Sequence, residues 1–203
     1  MNYLSTHENP RGEICYQGNS IFKGYFKNEE KTKEALSDDG WLASGDVGMV
    51  FPNGSVKIID RAKNIFKLSQ GEYIAPEKLE NVYIQSPFVA QIFVYGDSLQ
   101  SWLVAIIVPE MSELKKWFAE QNKTIEDLVP HLNDEDLHKA ILENFLSLAK
   151  VNKFSGLEKI KKIYVTQDPF TIENEILTPT MKIKRNIAKD VYKAQIDKMY
   201  EGA

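Results

Sequence analysis

Partial alternation of polar and apolar positions predicts a short strand over Arg11–Tyr16, a polar run over residues 28–36 predicts a short helix, and Asp38-Asp39-Gly40 reads as a turn. Residues 47–51 and 55–60 are strand-like runs joined through Pro52-Asn53-Gly54, and Asn-Gly between apolar segments is a strong hairpin signal. This first block is mainly β and opens without a strong hydrophobic element of its own, so its packing neighbours are expected to precede Met1. From 61 to 71 the pattern turns polar and irregular, with basic residues interleaved with Ile65, Phe66 and Leu68, and reads as a linker or hinge.

Pro76 opens a helical pattern carrying Leu79, Val82 and Tyr83 on one face, with proline at a tolerated first-turn position. Val89–Tyr95 and residues 103–108 are rich in β-branched residues, and Gly96-Asp97-Ser98 between them predicts a hairpin. Residues 110–121 read as a helix, and Asn133 caps a second one whose first turn is acidic and whose apolar stripe is Leu137, Ile141, Phe145 and Leu148. Residues 160–166 are a strand candidate, and the last segment places Ala188, Val191, Tyr192, Ile196, Met199 and Tyr200 on one helical face. The second block is therefore α+β, and the chain has no internal repeat and no low-complexity tract.

With 203 residues, 43% of them hydrophobic, the chain is long enough for one or two domains with a real core. The net charge of −4 argues against a nucleic-acid partner. Ten Lys/Arg against seven Asp/Glu over residues 151–203 make a local +3, leaving −7 for residues 1–150, which suits either a phosphate-rich ligand or a solvated basic face. Cys15 is the only cysteine, so no internal disulfide or cysteine-cluster metal site can form, and a reducing, cytoplasmic-facing compartment fits best. The longest apolar runs, such as Leu103–Pro109, are too short to span a bilayer, and residues 1–10 carry no signal-peptide pattern.

Three segments carry candidate chemistry. In Trp41-Leu42-Ala43-Ser44-Gly45-Asp46, Gly45 permits an unusual backbone angle and Asp46 offers a carboxylate that could grip vicinal hydroxyls; taken alone, Ser-Gly-Asp reads as a common turn. Arg61, Lys63 and Lys67 in the stretch 60–77 could serve a polyphosphate, or form a basic surface ribbon. In 177–186, Pro179 stiffens a loop, and an extended backbone would point Met181 and Ile183 one way and Lys182 the other, into a cleft or into solvent. His7, His131 and His138 have no spacing that makes a metal site or triad, neither Ser44 nor Ser69 lies in a nucleophile-elbow pattern, and Trp102, Trp117 and Phe118 read as packing.

Taken together, Pro10-Arg11-Gly12-Glu13-Ile14-Cys15, Gly24-Tyr25, Gly40 to Asp46, the 60–77 stretch and Leu177-Thr178-Pro179-Thr180-Met181-Lys182-Ile183-Lys184-Arg185 resemble, in order and spacing, long-chain acyl-CoA synthetases of the adenylate-forming superfamily. The resemblance runs over essentially the whole chain and implies an α+β fold: a small mixed α/β C-terminal domain over residues 61–203, hinged near 61–63, preceded by a β-rich tail of the large N-terminal domain over 1–60. It further implies acyl-adenylate formation from a fatty acid and Mg-ATP, followed by thioester formation with coenzyme A after the small domain rotates. By resemblance, Asp46 and Arg61 hold the ribose hydroxyls of the nucleotide, Lys63 is the hinge residue, and Lys182 enters the site for adenylation. Lys67 and Gly71 belong to the loop that moves forward for thioester formation, past which the pantetheine arm would run.

The nucleotide loop, the metal-binding glutamate and the acyl tunnel of such enzymes would precede Met1. This portion, alone, is therefore expected to be inactive, to hold no ATP, Mg2+ or coenzyme A tightly, and to need its own N-terminal domain as partner. The resemblance leaves open peripheral membrane attachment through segments upstream. Two alternatives stand beside it: an adenylate-forming enzyme for another acid or a carrier protein, and a non-catalytic α+β interaction module, against which the intact Asp46 and Lys182 argue.

Overall fold

A computed structural model describes residues 9–121 and 129–201. The chain divides into two compact units, Met1–Ile65 and Phe66–Ala203.

The first unit is an antiparallel sheet in the order β1 (Arg11–Tyr16), β2 (Leu42–Val50), β3 (Val56–Arg61), with helix α1 (Glu29–Ala35) between β1 and β2. The seven-residue α1 buries none of its residues and depends on local chemistry: the Asn28 side chain accepts from Lys31 N–H at 3.0 Å, and Glu29 and Glu30 face the positive end of the helix dipole. Gly54 turns the β2–β3 hairpin at φ +80, as the Asn-Gly signal requires. Strand β2 starts at Leu42 rather than at residue 47, so Ser44-Gly45-Asp46 lies inside a strand instead of forming a turn. The reason is register: Ala43 and Leu42 pair with Cys15 and Tyr16, extending the ladder past the irregularity.

The second unit opens with a two-stranded hairpin of β4 (Phe66–Lys67) and β5 (Tyr73–Ile74) and is built on a three-stranded sheet whose middle strand lies second in the chain as well as in space. Strand β6 (Val89–Tyr95) runs antiparallel to β7 (Leu103–Pro109), and β8 (Ile160–Val165) runs parallel to β7. A parallel neighbour needs a crossover, here supplied by helices α3 (Met111–Glu120) and α4 (Glu135–Val151). Every residue of β7 is buried, the mark of a central strand covered on both faces.

The period of two then builds two cores. Leu103, Ala105 and Ile107 pack with Leu79 and Tyr83 of α2 (Pro76–Tyr83) and with Leu137, Ile141 and Phe145 of α4. Val104, Ile106 and Val108 pack with Phe170, Ile176, Leu177 and the C-terminal helices. Trp117 and Phe118 pack at the first core and Trp102 at the second.

Three further expectations do not hold. Asp134, not Asn133, is the N-cap of α4, and its backbone C=O accepts from His138 N–H at 3.0 Å. The final helix is two, α5 (Arg185–Val191) and α6 (Lys193–Tyr200), broken at Tyr192 where φ is −100 and ψ 17. Val191 is exposed, whereas Ala188, Tyr192, Ile196, Met199 and Tyr200 are buried as a helical face requires.

His138 on α4 gives the second unit a pH dependence. Its Nε2 lies 3.1 Å from the Leu132 carbonyl, and burial lowers its pKa from the ordinary 6.5 against the opposing effects of that hydrogen bond and the nearby Asp134. A depressed folded pKa means the unfolded chain binds the proton first, so this contribution is complete above about pH 6.5 and is lost as pH falls toward the lowered value. We expect the melting temperature to fall from pH 7.5 to 5 with a slope that His138→Gln flattens; an unchanged slope in the variant would remove His138 as the cause.

Candidate functional site

In the first unit, Asp46 and Arg61 are cross-strand partners in the β2–β3 ladder, which places a carboxylate and a guanidinium side by side, Arg61 Nη1 to Asp46 Oδ1 at 3.2 Å. Gly45, at φ +75, makes room for this: a Cβ there would stand 3.3 Å from Arg61 Nη2, so the guanidinium lies across the glycine. The backbone around it is tied on three sides, Gly45 N–H to Glu13 Oε1 at 2.9 Å, Ala62 N–H to Gly45 C=O at 2.8 Å, and Asp46 N–H to Ser44 Oγ at 3.0 Å. Buried Asp60 fixes the chain at the end of β3, its Oδ1 accepting from Arg61 N–H at 2.6 Å and from Asn64 Nδ2 at 3.1 Å. The Asp46–Arg61 side chains are 34% and 46% exposed, so the pair adds at most about 1 kcal/mol to stability. What it offers is a partly exposed acceptor and donor held in one geometry, suited to vicinal hydroxyls. Lys63 comes next, in the exposed turn closed by Asn64 N–H to Arg61 C=O at 2.9 Å.

In the second unit, Lys67 and Gly71 belong to the β4–β5 hairpin. Gly71 adopts φ +88, and a Cβ there would meet Lys67 Cε at 3.5 Å, while Lys67 Nζ sits 5.6 Å from the centre of the Tyr73 ring. Leu68 and Ile74 root the hairpin in the core, and its tip is pinned to the β6–β7 loop by Ser69 N–H to Gln100 C=O at 3.0 Å and Gln70 Nε2 to Ser101 C=O at 3.0 Å. The loop thus presents an exposed lysine next to a backbone stretch without a side chain.

Lys182 stands on a hairpin of its own, exposed, between the bridged residues Leu177 and Ile183. Met181 is left-handed at φ +61 and 65% exposed, so Met181 and Ile183 do not share a face as an extended backbone would have them. The turn closes through Met181 N–H to Thr178 C=O at 2.9 Å. Its base is rooted by buried Ile176 and Leu177 and by Arg185, whose guanidinium pairs with Glu80 of α2 and donates to the Val94 carbonyl at 3.2 Å over the Phe93 ring. Glu80 in turn accepts Val94 N–H at 2.8 Å. Sequence reasoning missed Glu80. The signal was present: Pro76, Leu79, Glu80 and Tyr83 fall at i, i+3, i+4 and i+7, so a carboxylate occupies a place in the buried stripe.

The geometry therefore brings Asp46 to Arg61 and Lys67 to Gly71, and sets Lys182 on a separate anchored hairpin. His131 is paired with Asp134 at 3.0 Å, His138 is packed as described, and His7 lies outside the described residues. Among the described residues no helix is long and apolar enough to cross a membrane.

Residues 78–153 match the AMP-binding enzyme C-terminal domain. The chain is 50% identical to fatty acyl-CoA synthetase A of Dictyostelium discoideum over 98% of its own length and 30% of that protein's, and 49% identical to the peroxisomal long chain acyl-CoA synthetase 7 of Arabidopsis thaliana over 98% and 29%. It spans about 30% of the length of these curated relatives. Among solved structures, the A domain of a carboxylic acid reductase from Segniliparus rugosus, in complex with AMP and a co-purified carboxylic acid, superposes with a TM-score of 0.85 at 34% identity, covering 98% of this chain and 30% of that one. With half its residues identical to a fatty acyl-CoA synthetase across nearly its whole length, the chain is homologous to a segment of the long-chain acyl-CoA synthetases, and its residues 78–153 form an AMP-binding enzyme C-terminal domain.

Proposed function

We propose that this chain is part of an ATP-dependent long-chain fatty acid–CoA ligase and works only together with a large N-terminal domain. The single observation that carries this is the 50% identity to a fatty acyl-CoA synthetase over 98% of the chain, a span that includes Asp46, Arg61 and Lys182. In the first half-reaction the fatty carboxylate attacks the α-phosphorus of ATP, giving acyl-adenylate and pyrophosphate. In the second, the thiol of coenzyme A attacks the acyl carbon and AMP leaves.

Asp46 and Arg61 hold the ribose hydroxyls of the nucleotide, a role that their fixed, partly exposed pairing supports. Lys182 lies between two like charges, the incoming carboxylate and the α-phosphate, where a cation offsets repulsion and stabilises charge in transfer without moving a proton. Mg2+ bound with ATP would draw further charge from the phosphates; no residue of this chain is assigned to it. Residues 61–203 act as the mobile domain and 1–60 as the tail of the large one. Lys63, in its exposed turn, is the hinge residue, and rotation there exchanges the Lys182 hairpin for the Lys67–Gly71 loop, whose bare backbone lets the pantetheine arm pass.

The test is pyrophosphate release with ATP, Mg2+ and a long-chain fatty acid, comparing this chain with the complete enzyme. Release by the complete enzyme only, with acyl-CoA formed when coenzyme A is added, is the expected result. Release by this chain alone would refute the need for a partner domain, and transfer to a carrier protein but not to coenzyme A would replace the ligase by a carrier-loading enzyme.

A further inference from the structure

We infer that the Thr178 hydroxyl is a positioning residue for Lys182. The need arises from the turn itself. The Thr178 carbonyl is taken by Met181 N–H at 2.9 Å, and Thr178 N–H donates to the Lys182 carbonyl at 2.8 Å. Because left-handed Met181 adds a residue to one side of the hairpin, Lys182 N–H comes opposite a carbonyl already engaged. The Thr178 side chain supplies the acceptor instead: Lys182 N–H donates to Thr178 Oγ1 at 3.0 Å, and Oγ1 also lies 3.0 Å from Thr180 Oγ1.

One residue thus grips the Lys182 peptide from both ends, through its backbone N–H and its hydroxyl. The side chain that follows is long, flexible and exposed, so the point from which its ammonium is offered is set by the backbone that carries it. Removing the hydroxyl leaves Lys182 N–H to water and frees the local dihedrals, whereas the rest of the hairpin stays fixed by Ile176, Leu177 and the Glu80–Arg185 pair. A misplacement of about 1 Å in a charge that acts only in the transition state lowers the rate without weakening ground-state binding.

The inference rests on the assignment of Lys182 to adenylate formation, and the test separates the two. In the complete enzyme, Thr178→Val, Thr178→Ser, Lys182→Ala and the Thr178→Val/Lys182→Ala double variant are compared for adenylate formation, for thioester formation from supplied acyl-adenylate, and for thermal unfolding. Thr178→Val is expected to lower kcat for adenylation about tenfold, the value of one lost hydrogen bond, with little change in KM for ATP or acid. Thr178→Ser, which keeps the hydroxyl, retains most of the rate, and thioester formation is unaffected in both. In the Lys182→Ala background the same Val substitution has no further effect, because there is no ammonium left to aim. An equal loss in that background, or a Ser variant no better than Val, overturns the positioning role. Wild-type adenylation in Lys182→Ala alone overturns the assignment on which the inference rests.

Discussion

Replacing Lys182 by alanine in the complete enzyme is expected to lower adenylate formation by about 10²–10³, the range for removing one preorganised electrostatic group from a reaction centre. Thioester formation from supplied acyl-adenylate should be largely intact, because the proposed rotation withdraws this hairpin before coenzyme A reacts. The variant should fold normally, since Lys182 is exposed and an exposed side chain away from special backbone positions changes stability by about 0.5 kcal/mol or less. Lys182→Arg should recover only part of the rate, because a planar fork replaces a compact point charge. The measurement is single-turnover pyrophosphate release set beside acyl-CoA formation from the isolated adenylate. Equal loss of the two half-reactions would contradict the assignment of Lys182 to the first.

That assignment was open to the sequence as a motif, but the geometry that supports it was not. Strands such as Val89–Tyr95 and the Asn53-Gly54 turn were legible because their signals are local: β-branched runs and a dipeptide that tolerates positive φ. The strand continuing through Ser44-Gly45-Asp46 was not, because ladder pairs at its two ends, Ala43 with Cys15 of β1 and Asp46 with Arg61 of β3, rather than any local preference, keep it in the sheet. Met181 defeated an extended reading for a related reason, its left-handed backbone being held by Thr178 on the other limb of the hairpin. At Tyr192 the apolar period runs on unbroken across a real break between two helices, so periodicity predicted most of the buried face and overlooked both the break and the exposure of Val191. The Asp46–Arg61 pair was named by resemblance; its cause, a cross-strand register over a glycine, emerges only when the strands are aligned.

The longest-range element of the site leads to the largest expected effect on folding. Glu80 and Arg185 are 105 residues apart in sequence, and their side chains are only 11% and 19% exposed. Glu80→Ala takes the counter-charge from a largely buried guanidinium and leaves Val94 N–H without its carboxylate; Arg185→Ala takes the counter-charge from a carboxylate on the buried face of α2 that still accepts Val94 N–H. Removing one partner of such a pair costs about 3–5 kcal/mol, so either variant should lower the urea midpoint of the second unit by a large part of its whole stability. The same physics makes the double replacement milder. In Glu80→Leu/Arg185→Met neither charge is left unpaired, and apolar volume takes the place of two desolvated ions, which is commonly neutral or stabilising. The cycle should therefore be strongly non-additive, with the double variant more stable than either single one, and additive losses would mean the two side chains act independently. In the complete enzyme the double variant separates stability from aim. With the fold restored, Arg185 no longer ties the foot of the Lys182 hairpin to the Val94 carbonyl, so adenylation should stay below wild type while the melting curve does not.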